Sequence, residues 1–150
     1  MNIENLLQFL PPFPNELISI GILVLRITWG IVLLVYGLPM IKNPLHWMDL
    51  ATPPEMPKIP PILQVIGALT IFGGALAIMV GLLTPLASLG LAGAMGFALL
   101  LHLLEGVPMV KQPPDAPGKS YEASLVYLAI AILFIFLGAG RFSLDYLIFG

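Results

Sequence analysis

The sequence predicts an all-α protein, a transmembrane antiparallel four-helix bundle forming a single membrane domain. Three observations predict it. First, 59% of the 150 residues are hydrophobic, mean hydropathy is +1.01, and only 9% are charged. An ordinary soluble domain carries roughly a quarter charged residues, so these few cannot coat a water-facing surface of this size. Second, no Asp, Glu, Lys or Arg occurs from Ile59 to Leu104, a run of 46 residues. As one helix that run would measure about 69 Å at ~1.5 Å per residue, more than twice a hydrocarbon core of roughly 30 Å. It must therefore fold back once. Third, prolines and charges fall between four apolar segments, near 18–38, 62–83, 86–104 and 121–138. All 15 prolines lie outside these segments, and only Arg26 and Glu122 of the charged residues lie inside. Proline costs about 3 kcal/mol in a helix interior, so this partition marks the helix boundaries. Membrane strands would alternate in polarity over ~10 residues, and these segments are apolar on every side.

The same composition excludes other classes. The chain is too apolar for intrinsic disorder. A net charge of −2 with six scattered basic residues leaves no footprint for nucleic acid. Cysteine is absent, which removes disulfides, thiol redox couples and thiolate metal sites.

In chain order, no removable signal peptide is expected, since Glu4 and Glu16 stand where basic residues would. Leu6 to Pro14 is apolar but too short to span, so it reads as an interfacial segment or a proline-rich lead-in. Span 18–38 carries Arg26. The link 39–61 is rich in proline and holds Trp47 and Met48, which place it on the membrane surface as an ordered cap. A short amphipathic helix is expected around Leu45–Leu50. Thr84-Pro85, with Gly81 just before, makes the tight turn between spans two and three. Gly73, Ala77 and Gly81 repeat at four-residue spacing, as do Ser88, Ala92 and Gly96. Such stripes let backbones approach closely in lipid, here within the bundle or, in the other reading, across a homo-oligomer seam. The link 105–120 and the tail 139–150 complete the chain. Spans alternate in direction, so both long links lie on one face. Lys42, Lys58, Lys111 and Lys119 lie there against Arg141 opposite, which puts the links in the cytoplasm and the termini outside.

Polar residues inside such a bundle are the candidate site. Tyr36, Gln64, His102, Tyr121 and Glu122 all fall at the long-link end of their spans, so five polar side chains converge at one membrane boundary. His102 and Glu105 are neighbours on one helical face, and Glu122 with His102 would make a carboxylate–imidazole pair near neutral pH. Arg26 falls near the midplane, where a charge costs about 2.5–3.5 kcal/mol on insertion scales. Glu122 is its first-choice partner; Asp145, Thr70 and Gln64 are the others, and snorkelling toward the terminal face is open to it. The plainer readings stand beside these: tyrosines as interfacial anchors, His102 as a satisfied structural histidine, and an Arg26–Glu122 pair that only fixes helix register. Metal binding has little support, since the two histidines, His46 and His102, lie on different segments. No phosphate-binding or nucleophile motif is present.

Several pieces in order resemble the DoxX family of small four-helix membrane proteins. They are Arg26 and Gly37 in LRITWGIVLLVYGLPMIK, the Gly73-Gly74 pair leading to Gly81-Leu82-Leu83-Thr84, His102, Tyr121-Glu122, and the Gly138-x-Gly140-Arg141-x-Ser143-Leu144-Asp145 close. The resemblance covers roughly residues 18–145. The chain departs from the family pattern at Gln64, where members often carry Glu, and at the Thr84-Pro85 turn, which often carries Arg. The resemblance implies a multi-pass protein of the plasma membrane linked to redox physiology. Its first functional expectation is a non-catalytic membrane subunit or anchor of a redox-linked complex, with lipid and a protein as partners. The alternative is a quinone- or lipid-binding component of a membrane oxidoreductase, with Arg26, Gln64, His102 and Glu122 lining a pocket at the long-link face. No cofactor is expected from a recognisable motif, quinone being the candidate ligand. A transporter ranks last, since no broken half-helices or inverted repeat are evident.

Overall fold

Hydrocarbon offers a backbone no hydrogen-bond partner, so a chain this apolar must satisfy its amides internally. The computed structural model, which describes residues 15–49 and 52–150, does so with helices. These are α1 (Glu16–Lys42), α2 (Pro61–Val80), α3 (Thr84–Leu104), α4 (Glu122–Leu137) and a short terminal α5 (Leu144–Phe149). The first three are long and apolar enough to cross a membrane. The fourth has 16 residues, about 24 Å of helix, and packs between α3 and α1. Neighbours in sequence pack antiparallel as α1–α2, α2–α3 and α3–α4. The core is a file of buried residues that includes Ile22, Trp29, Leu33, Ile71, Ala75, Ile78, Leu91, Ala131 and Phe134. The outer faces expose Leu, Ile, Val and Phe, as lipid contact requires.

Boundaries follow local chemistry. Asn15 caps α1, its side chain accepting from the Ile18 amide at 3.0 Å. Instead of stopping before Pro39, α1 runs on to Lys42. A proline in the last turn removes only one helical bond, and the Asn43 amide still reaches the Pro39 carbonyl at 3.3 Å. Helix α2 ends at Val80, three residues short of the expected span, because Gly81 takes a left-handed conformation (φ 69°) as its cap. Leu83 also has positive φ (46°). The turn is therefore 81–83, and Pro85 sits in the first turn of α3, where its missing amide costs nothing.

Two further expectations are corrected. Residues 44–49 form successive tight turns, closed by His46 N–Asn43 O and Asp49 N–His46 O bonds, rather than an amphipathic helix. Pro44 and the pairing of His46 with Asp49 favour that path. The small-residue stripes hold in part: Gly81 and Ser88 are buried and Ala92 packs against the core, while Gly73 faces outward. Cβ positions built at Gly73 and Gly96 meet nothing within 4 Å. Close approach occurs at Gly81 against Arg26 and Ser143 and, off the stripes, at Gly30 against Met79 and Ala75, Gly37 against Phe72, Gly74 against Leu91 and Gly90 against Thr70. One residue is a rotation of about 100° on a helix, enough to swing Gly73 out to lipid. The Leu6–Pro14 segment lies outside the described residues.

Large aromatics, not glycines, join α1 to α4. Trp29 stacks on Phe134 with centroids 5.6 Å apart, and Tyr36 meets Tyr127 edge-on at 6.1 Å. These rings fill the seam opposite the glycine-lined contacts.

Candidate functional site: a cavity at the long-link end

The expected polar cluster divides into two places. Arg26 is almost fully buried (1% exposed) and makes no bond to Glu122. A helical side chain leans toward the N-terminus of its own helix, which carries the guanidinium to the end of the bundle opposite the long links. There Nε donates to the Ile78 carbonyl at 2.8 Å and Nη2 to Met79 at 2.9 Å. Nη1 donates to Ala139 at 2.7 Å and Phe142 at 2.8 Å. Ile78 and Met79 carry two of the last carbonyls of α2, at the negative end of the helix dipole, and Ile78 accepts from the Gly81 amide as well. Four carbonyl dipoles thus stand where Glu122 was expected, with Asp145, another of the expected carboxylates, near enough to interact through its charge. Asp145 works beside it, accepting from the amides of Leu83 (2.6 Å) and Thr84 (2.8 Å) at the start of α3. Together they clasp the C-terminal segment onto the 81–84 turn. This is a fastening of the fold, remote from the other candidates.

At the long-link end the bundle opens. A cavity of about 350 Å³ lies among the four long helices under the 39–61 link. Leu33, Ile71 and Met95, all buried core residues, form its floor. Met40, Leu63, Phe97 and Leu101 make apolar walls, and Trp47 and Met48 of the link close the top. Hydrogen-bonding groups come from Tyr36 on α1, His102 on α3, and Ser124 and Tyr127 on α4. His102 Nδ1 lies 3.4 Å from the Ser124 hydroxyl. At the rim Lys119 pairs with Glu105 at 3.2 Å, so that edge carries no net charge.

Two of the expected residues, Tyr36 and His102, are therefore brought together at this cavity. Gln64 lies one layer behind it, almost fully buried, and its side chain holds the link. Its Oε1 accepts from the Met48 amide at 2.9 Å, and its Nε2 donates to Asp49 Oδ1 at 2.9 Å and to the Ile59 carbonyl at 3.0 Å. The Trp47 indole donates to the Gln64 backbone carbonyl at 2.8 Å. The hydrogen bond from the Gln64 amide, then that from His46, hold the Asp49 carboxyl below the usual carboxylate range.

Tyr121 and Glu122 do not line the cavity. Tyr121 caps α4 and its amide bonds the Pro108 carbonyl; Glu122 is exposed and accepts from the Ser120 hydroxyl at 3.4 Å. The expected Glu122–His102 pair is not formed, because the first turn of α4 points Glu122 outward while Ser124, two residues on, points inward. Nor does Glu105 pair with His102; it takes Lys119 instead. Trp47, Ser124 and Tyr127 line the cavity without being among the site residues expected from the sequence. Ser124 and Tyr127 are three apart, a helical spacing that puts both on one face of α4, and that spacing was the available signal. Among the described residues no three His, Asp or Glu side chains come together.

The sequence model of the DoxX family matches residues 21–103, which takes in the first three helices and ends one residue past His102. No curated protein and no solved structure matches the chain.

Proposed function

The chain belongs to the DoxX family of membrane proteins, and on that premise we propose that it is a quinone-binding membrane component of a redox-linked assembly. The observation that carries this reading is the long-link cavity: apolar walls and floor, with an imidazole, a serine hydroxyl and two phenols in its lining. A quinone needs that combination, an apolar slot for its ring and tail and donors for its carbonyl oxygens. The volume of about 350 Å³ falls at the lower end of the roughly 300–1,000 Å³ typical of ligand sites. His102, Ser124, Tyr36 and Tyr127 would meet the carbonyls, and Leu33, Ile71 and Met95 would meet the ring. A lipid with an anionic head is the less favoured occupant, because the rim cation Lys119 is engaged by Glu105. The bundle contributes the binding site, and a partner protein in the plasma membrane supplies the electron-transfer chemistry.

Trp47 supplies the test. It lines the cavity, whereas Trp29 is packed in the core against Phe134. Decylubiquinone added to the purified protein in detergent is expected to quench Trp47 emission saturably in a Trp29→Phe background. Ala98→Phe, which fills the cavity, is expected to abolish saturation. His102→Leu is expected to weaken binding about tenfold, the value of one lost hydrogen bond. Equal quenching in all three proteins rules the cavity out as the quinone site.

A further inference from the structure

Beyond the cavity, the Arg26 clasp, the apolar C-terminal α5 and the buried side chain of Gln64 stand out in the fold. The first is fully used in holding the fold, and the second presents an apolar surface. Gln64 is different, because its bonds lead directly into the proposed site without its touching the site.

All polar atoms of the Gln64 side chain are committed to the 39–61 link. Its oxygen takes the amide of Met48, and its nitrogen gives one proton to Asp49 and one to Ile59. Both Met48 and Ile59 line the cavity, and so does Trp47, which hangs on the Gln64 backbone carbonyl. Asp49 is held from its other side by His46 at 2.9 Å. An amide satisfied three ways at about 1% exposure is a rigid strut, since each bond broken there leaves a buried group unpaired. A carboxamide also suits the place, offering one acceptor to an amide N–H and two donors to a carboxylate and a carbonyl.

We propose that Gln64 is the positioning residue of this cavity: its side chain fixes Met48, Asp49 and Ile59 and its backbone carbonyl fixes Trp47, and so it sets the shape of the wall against which the ligand packs. The effect on ligand rests on the quinone reading above; the effect on the wall does not.

The test exchanges the two partners. In the full-length Trp29→Phe protein, Trp47 emission reports the wall and decylubiquinone titration reports the ligand. Gln64→Glu places a carboxylate against Asp49 and removes both donors, so Trp47 emission is expected to shift red and affinity to fall about tenfold. Adding Asp49→Asn to Gln64→Glu restores an amide–carboxylate pair with donor and acceptor reversed. It is expected to recover part of the emission shift and of the affinity, the bond to the Ile59 carbonyl staying lost, a rescue that a merely space-filling Gln64 would not show. Asp49→Ala, a change at an exposed position, is expected to give an intermediate red shift even if the Gln64 variants fold poorly. Unchanged emission in Asp49→Ala, or a double variant no better than Gln64→Glu alone, overturns the proposal. If the emission shifts follow the exchange while the parent protein binds no decylubiquinone, the positioning role stands and the quinone reading falls.

Discussion

Arg26 carries its guanidinium, almost fully buried, to the closed end of the bundle. Burial of a guanidinium demands hydrogen-bond acceptors, and the nearest carboxylate in the sequence pattern was Glu122. The structure uses backbone carbonyls from two separate segments, at Ile78 and Met79 and at Ala139 and Phe142. Only a planar fork of five donors reaches both sides at once. Arg26→Lys keeps the charge but not the fork. Arg26→Met is expected to destabilise the protein by about 3–5 kcal/mol, the cost of breaking a buried ionic arrangement from one side, and Arg26→Lys by somewhat less. Thermal unfolding in detergent followed by circular dichroism measures both. Asp49 carries the pH dependence. Its carboxyl is held below the ordinary carboxylate value in the folded chain, chiefly by the Gln64 amide and next by His46. Its contribution is therefore complete above an unfolded carboxyl pKa of about 3.9 and is lost as pH falls through the lower, folded value. Trp47 emission is expected to hold steady from about pH 8 down to pH 5 and to move only in stronger acid. A transition near neutrality would show that another group latches the link.

At the scale of elements, the helices differ in how they meet. Glycines bring α1, α2 and α3 together, whereas aromatic rings fill the α1–α4 seam. A Cβ at Gly30 would run into the Met79 side chain and approach the Ala75 carbonyl at 3.3 Å. Backbone cannot step aside as a side-chain tip can, so Gly30→Val is expected to cost about 1–3 kcal/mol as overpacking. Gly73→Ala, with nothing within 4 Å, is expected to be neutral or stabilising by up to about 1 kcal/mol from helix propensity. Paired melting curves of the two variants test whether close approach, rather than the glycine stripe in the sequence, defines the interface. An equal loss in both variants would point to a contact made by the Gly73 face.

For the whole molecule, the two ends of the bundle serve different ends. One is closed by the Arg26–Asp145 clasp; the other is open, roofed by a link and lined with hydrogen-bonding groups. The lysines at 42, 58, 111 and 119 gather at the open end, and on the positive-inside bias that end is expected to face the cytoplasm. The chain has no cysteine, so single cysteines report sidedness directly. Asp115→Cys is expected to resist a membrane-impermeant maleimide in intact cells and to label after permeabilisation, and Gly150→Cys to label in both. The reverse pattern would place the cavity mouth on the outer face.

Four helices, their order and their fold-back were legible from charge and proline alone, because in lipid those two features are the ones a helix interior cannot carry. The polar ends of the spans were legible too, and they located Tyr36 and His102 at a common level. Which side of each helix faces inward was not. A strongly apolar helix has no polar face to betray its orientation, so Glu122 and Ser124, or Gly73 and Gly74, exchange roles on a rotation that hydropathy does not register. Only packing set that rotation, and with it the carbonyls that hold Arg26, the bonds that hold Gln64 and the shape of the cavity they leave.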